Sequence, residues 1–299
     1  MSERIKLLDP AALLGRGKPH LRARYVVEGI VSGLHKSPFT GHSLEFSQHR
    51  EYTPLDEPKH IDWKVYGRTD KLFIKQYEEE TNLRSYILLD KSGSMAFAAG
   101  GKMDKLTYSA NIAAALSYLL IHQEDSVGLA LFDTGIKEYI PPRAQSEQFS
   151  LIYNTLQGIT PGGETSLAET INGFGRLLKK RSLLIFISDL MDEPSDVLKA
   201  IKQFRFKHHD VIVLHVIDPA ERALDFGGSI LFESLEKSGE KFYTEPDDIR
   251  AVYTSVFEKF LEDYRRGFLG AGIDYHLIVT DVPVEAGLGA YLAARGVRS

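Results

Sequence analysis

The 299-residue chain predicts an α/β fold: an open, mostly parallel sheet flanked by helices, preceded by a mostly β N-terminal extension. Three observations predict it. Five runs of consecutive apolar residues recur along the chain, as strands covered on both faces by helices require. Helical patterns separate most of these runs, giving the strand–helix alternation of a parallel sheet. An aspartate closes or follows every run, and open α/β sheets bind their ligands outside the carboxyl ends of the strands.

The runs are Ser85–Leu89, Val127–Phe132, Leu183–Ile187, Val211–Ile217 and Tyr275–Val279. Their aspartates are Asp90, Asp133, Asp189, Asp218 and Asp281. Aspartate also caps helices and starts turns, and this is the reading adopted for Asp133, Asp218 and Asp281; Asp218 precedes Pro219, a turn-starting pair. Helices are expected over Met103–His122, Glu147–Leu156, Ser166–Leu178, Pro194–Phe206 and Asp247–Leu269, and Val284–Ala294 is a further helical segment. Within the first of these, Ile112–Ile121 is too short to span a bilayer and reads as a buried helix face.

Two regions break the alternation. Residues 1–79 hold no buried parallel-type strand; Ser43–Phe46 and Leu72–Tyr77 alternate in polarity, as half-exposed strands do. The domain of interest therefore runs over 80–299. Inside it, residues 225–245 read as a β-hairpin, with Ile230–Phe232 and Phe242-Tyr243 flanking a Gly239-containing turn.

Composition narrows the function. The apolar share of 43% and charged share of 26% are those of a soluble globular protein. A net charge of −5 gives no general reason to expect nucleic-acid binding, and Lys202, Arg205 and Lys207 read as a solvated helix face. Cysteine is absent, which removes thiol nucleophiles, thiolate zinc sites, iron–sulfur clusters and disulfides. The N-terminal residues Met1–Lys6 lack a secretory pattern, and a cytoplasmic location is expected.

Asp90-Lys91-Ser92-Gly93-Ser94 follows the first apolar run and precedes a long helical pattern. A carboxylate and two hydroxyls on alternate residues suit a hard, oxygen-preferring cation such as Mg²⁺, with Mn²⁺ or Ca²⁺ able to share the ligands. The bland alternative is that Ser92 and Ser94 satisfy backbone donors in a turn and Thr165 caps a helix. Enzymatic readings find less support. Ser92 stands where a phosphoaspartyl mechanism wants a second acid, and no G-x-S-x-G surrounds either serine. Gly17-Lys18 and Gly101-Lys102 are followed by Pro19 and Met103, so neither completes a P-loop. His208-His209 is too close-set for a zinc pair.

Asp90-x-Ser92-x-Ser94 resembles the metal-ion-dependent adhesion site of von Willebrand factor A domains. Gly162-Gly163-Glu164-Thr165 matches the threonine-bearing loop of that motif, and Ser188-Asp189 its final aspartate. The N-terminal series Arg50-Glu51-Tyr52, Ile61-Asp62-Trp63, Arg68-Thr69 and Tyr77-Glu78-Glu79-Glu80 narrows the resemblance to the domain-of-unknown-function fifty-eight family. That family carries a von Willebrand factor A-like domain and is associated with MoxR-type AAA+ ATPases. Leu55, Lys59 and Gly67 depart from its usual residues, all outside the metal motif.

The resemblance implies that the first and fourth main strands are adjacent, bringing Asp90, Thr165 and Asp189 together. It implies a cation held directly by Ser92, Ser94 and Thr165, with Asp90 and Asp189 acting mainly through waters. One coordination position then remains for a partner's carboxylate. The expected function is a non-enzymatic, cation-dependent adaptor that joins a MoxR-type ATPase and an acidic-residue-bearing client in chaperone-like assembly. Its rivals are a metal-dependent phosphate or ester hydrolase and a scaffold with an unoccupied site. Arg50, Asp56, Asp62, Trp63 and Arg68 form a second cluster, read as an ion-pair network locking the N-terminal region onto the main domain or as a protein-docking surface.

Overall fold

The computed structural model describes residues 44–53, 61–79, 84–100, 103–163, 166–226, 228, 230–233 and 241–297. The chain forms two compact units, one spanning 38–83 and the other containing 84–299.

In the smaller unit β1 (Leu44–Glu51) pairs antiparallel with a second strand, β2 (Phe73–Glu79), with a register slip between Phe46 and Gln48. The short helix α1 (Trp63–Thr69) precedes β2. Asp62 caps it: one carboxylate oxygen accepts from the Lys64 N–H at 2.9 Å and the Val65 N–H at 3.3 Å. Two of the four free N–H groups at the helix start are thereby satisfied.

The larger unit contains β3 (Arg84–Asp90), β4 (Ser126–Phe132), β5 (Ile136–Arg143), β6 (Leu183–Ser188), β7 (Asp210–Ile217), β8 (Ile230–Glu233), β9 (Lys241–Thr244) and β10 (Asp274–Val279). Six of these strands form one sheet in the order β10-β7-β6-β3-β4-β5. All pairings are parallel except β4–β5. The five continuous apolar runs are the five parallel strands, buried along almost their whole length in β3, β4, β6 and β7. On the side away from β4, the neighbour of β3 is β6, the third of the apolar runs, which becomes the fourth strand of the sheet only because β5 precedes it; the fourth run, β7, is not beside β3.

The edge strand β5 is not among the expected strands. Only Ile140 of its eight residues is buried, and it carries Pro141 and Pro142. A half-exposed edge tolerates prolines that cannot donate to a ladder. The hairpin appears as the antiparallel pair β8–β9.

Helices cover both faces. The expected segments become α2 (Lys105–His122), α3 (Ser146–Gln157), α4 (Leu167–Phe174), α5 (Pro194–Phe206), α7 (Pro246–Leu269) and α8 (Val284–Val297), and a short helix that was not expected, α6 (Pro219–Ala223), follows the Asp218 turn. Helix α4 ends four residues before the expected Leu178, at the glycine pair Gly173 and Gly175. On one face Tyr86, Leu88, Phe186 and Val213 pack against Ile171 and Phe174 of α4, Phe204 of α5, and Tyr264 and Phe268 of α7. On the other lies α2, against β3 and β4, with α3 and α8 beside it. That position explains why α2 is buried around most of its circumference and shows little apolar stripe. The residues Ile112–Ile121 are thus core rather than membrane span, and among the described residues no helix is long and apolar enough to cross a bilayer.

Candidate functional site

At the carboxyl ends of β3 and β6 the chain turns sharply, and the two loops meet. Asp90 is the last residue of β3 and is buried. One of its oxygens accepts from the Ser92 backbone N–H at 2.9 Å, folding the loop back on itself. The other accepts from the Ser188 hydroxyl at 2.6 Å, across from the end of β6. The same hydroxyl oxygen accepts from the Leu190 N–H at 2.9 Å, so Ser188 also shapes the loop holding Asp189.

The Ser92 and Ser94 hydroxyls lie 3.1 Å apart, and the Ser94 hydroxyl is near enough to the Asp189 carboxylate to favour its charged form. Asp90, Ser92, Ser94 and Asp189 therefore belong to one cluster of oxygen donors. Thr165 lies outside the described residues. The two glycines just before its loop segment are described, and they are docked on the same site. The Gly93 N–H donates to the Gly163 carbonyl at 3.0 Å, and the Gly162 N–H donates to the Lys91 carbonyl. Gly162 is required here by close approach, since a Cβ would run into the Asp133 carboxylate. Asp133 is itself held by Lys137 at 3.0 Å.

The charges are unevenly distributed. Burial, then the neighbouring Asp189, pushes the Asp90 carboxyl up to about 7. Burial also acts on Asp189, but the Lys105 ammonium outweighs it and holds Asp189 below the usual carboxylate range. Lys105 is the first residue of α2 and is fully buried. Its Nζ lies 2.7 Å from Asp189 Oδ2 and also donates to Glu221 of α6. Burial opposes its charge, yet Asp189 and Glu221 together raise it above the ordinary lysine value.

Several positioning residues escaped the sequence reading. Lys105 sits in an expected helix, where a lysine ordinarily faces water. Glu221 and Asp218 form a capping box at α6, and Asp218 also accepts from the Gly100 N–H at 2.9 Å, fixing the chain beyond Ser94. The cap expected at Asp218 is thus present and does more than cap. His215 on β7 lies 2.8 Å from the Asp189 carbonyl through Nε2, and 2.8 Å from the Tyr275 hydroxyl through Nδ1. Burial brings His215 down to about 4, so it is neutral. A carbonyl only accepts, so Nε2 carries the proton and Nδ1 accepts from Tyr275.

The second cluster gives a plainer picture. Asp62 caps α1, Trp63 stacks edge-on with Tyr66 at 6.1 Å, and Arg68 is exposed in the last turn. Arg50 lies on β1, with its backbone opposite Ile74; Asp56 and the Arg50 side chain are outside the described residues.

The donor set fits a hard cation: two carboxylates and two hydroxyls converge, and burial together with the neighbouring Asp189 disfavours the charged form of Asp90 where no cation is present. Among the described residues no group of three or more His, Cys, Asp or Glu side chains is placed to hold a metal ion. Any cation here would rest on hydroxyls as much as on carboxylates.

An open α/β sheet in this strand order, with two polar loops meeting at the carboxyl ends of adjacent central strands, defines a von Willebrand factor A-like domain. The chain belongs to the family described as "Protein of unknown function DUF58", whose model matches residues 48–259. It is 21% identical to "Uncharacterized protein Rv1480" of Mycobacterium tuberculosis over 290 residues, covering 96% of this chain and 90% of that one. The same figures hold for "Uncharacterized protein Mb1516" of Mycobacterium bovis. Among solved structures, BatB from Bacteroides thetaiotaomicron is similar at TM-score 0.47 and 17% identity, covering 73% of this chain and 100% of that chain. An aerotolerance-related membrane protein from Bacteroides fragilis is similar at TM-score 0.49 and 18% identity, with the same coverage.

Proposed function

We propose that this chain is a non-enzymatic, divalent-cation-dependent protein-binding adaptor. The observation that carries the reading is the meeting of Asp90, Ser92, Ser94 and Asp189 in one cluster of oxygens at the ends of β3 and β6. Ser92, Ser94 and Thr165 would hold the ion, with Asp90 and Asp189 orienting its shell. A cation held largely by neutral oxygens keeps its pull on an outside carboxylate, and when bound it supplies one open position for a partner's Asp or Glu. Asp90, Ser188 and the backbone of 91–93 keep the hydroxyls in place before any partner arrives.

The partner assignment rests on the family resemblance. It names a MoxR-type AAA+ ATPase, with an acidic client, in the cytoplasm. The chain contains no complete nucleotide-binding motif of its own, which fits a role beside an ATPase rather than as one.

Affinity capture with wild type and Asp90→Ala, each with Mg²⁺ or with a chelator, tests the reading. Recovery of an ATPase or of a defined client only by wild type with metal is the expected result. Equal recovery by all four samples overturns it. Turnover of generic phosphate or ester substrates that depends on Mg²⁺ and Asp90 would replace the adaptor by a hydrolase.

A further inference from the structure

A fully buried lysine is unusual, and this one stands at the proposed cation site. Lys105 has two carboxylate partners of different kinds. Asp189 belongs to the oxygen cluster. Glu221 lies away from it on α6, where its other oxygen accepts from the Asp218 N–H at 2.8 Å. The ammonium thus bridges a candidate ligand and a carboxylate outside the ligand set.

Two positive charges cannot share the Asp189 carboxylate without mutual repulsion, which is strong where water is excluded. Glu221 gives Lys105 a second place to stay. We propose that Lys105 is a resident cation at this site: without a divalent ion its ammonium neutralises Asp189, and on metal occupancy it leaves Asp189 for Glu221 alone. This inference rests on the cation-dependent reading above and adds its regulation. Lys105 is a positioning residue that sets how weakly the site binds metal when no partner is present.

The exchange has a route outward. Glu221 accepts through its backbone carbonyl from the Tyr253 hydroxyl of α7, and its neighbour Arg222 pairs with Glu258 of α7. Both contacts lie on the segment next to the Lys105 partner. A stronger hold of Lys105 on Glu221 therefore reaches the capping box of α6 and, through it, α7, the longest helix among the described residues. By linkage, whatever α7 contacts would in turn alter metal affinity.

The test is titration of Mg²⁺ and Mn²⁺ alone into the full chain, followed by calorimetry, for wild type, Lys105→Gln, Glu221→Gln and the double variant. Circular dichroism and thermal melts report folding. Lys105→Gln is expected to bind metal about tenfold more tightly or better, since one contacting charge shifts a carboxylate's proton affinity by about one to three units. Glu221→Gln is expected to bind about tenfold more weakly, because the ammonium then has only Asp189. In the Lys105→Gln background the Glu221 change should have little effect, since it acts through the lysine. Glu221→Gln keeps the buried Lys105–Asp189 pair and decides the matter if Lys105→Gln does not fold.

Binding by Lys105→Gln where wild type shows none supports the inference. Equal affinities in wild type and both single variants overturn it while leaving the cation-dependent reading intact. Absence of binding in every protein overturns both.

Discussion

The Ser188 hydroxyl donates to Asp90 Oδ2 across 2.6 Å, tying the end of β6 to the end of β3 where both are buried. This bond directly links the loop of Asp90-Lys91-Ser92-Gly93-Ser94 to the segment that carries Asp189. It holds two parts of the motif together that are separated by almost a hundred residues of chain.

Ser188→Ala removes that donor and also the acceptor for the Leu190 N–H. A buried carboxylate and a buried backbone donor lose partners together, and the expected cost is about 1–3 kcal/mol. Urea unfolding measures it. A midpoint unchanged from wild type would show that the Asp90 carboxylate finds another donor.

Millimolar Mg²⁺ should raise the melting temperature of wild type and leave that of Asp90→Ala unmoved. At tenfold excess over Kd the gain in stability is about 1.4 kcal/mol. Differential scanning calorimetry with Mg²⁺ against EDTA reads the shift. A rise of equal size in both proteins would place the ion elsewhere.

His215 predicts an acid-side loss of stability. Its folded value of about 4 lies below the ordinary value of 6.5, so between these pH values the unfolded chain binds the extra proton. Stability from this group is complete above about pH 6.5 and is lost as pH falls toward 4, by about 3 kcal/mol at most. The window should flatten in His215→Gln. Chemical denaturation at half-unit pH steps, wild type against variant, checks the difference; parallel curves would mean that His215 does not contribute.

Gly162→Ala should displace the loop that leads to Thr165. The new methyl meets the Asp133 carboxylate, and Asp133 is anchored by Lys137 and cannot retreat freely. A stability loss of about 1–3 kcal/mol is expected from the overpacking. Mn²⁺ affinity should fall with it, because the Gly93–Gly163 and Gly162–Lys91 backbone bonds hold the two loops together. A variant that melts earlier yet binds Mn²⁺ like wild type would separate this loop from the cation site.

The parallel strands were legible because burial on both faces demands uninterrupted apolar residues, and Leu183–Ile187 or Val211–Ile217 admits no other economical reading. The oxygen cluster was legible because its first three donors lie within five residues. Strand β5 was not, since Ile136–Arg143 pairs on one edge only and needs no such pattern. Helix α1 was not, because a seven-residue helix has no period to display and depends on the Asp62 cap.

Lys105 marks the boundary between the two kinds of knowledge. By itself the chain of residues determined the strand–helix alternation, the helix that Lys105 begins and the oxygen-rich character of the site, all set by local spacing and by the hydrophobic effect. Tertiary structure alone decided that Lys105 lies under Asp189 and Glu221, 84 and 116 residues away, rather than in water. The reason is physical: an ammonium is costly to bury unless opposite charges from distant segments meet it, and no local pattern records where distant segments will arrive.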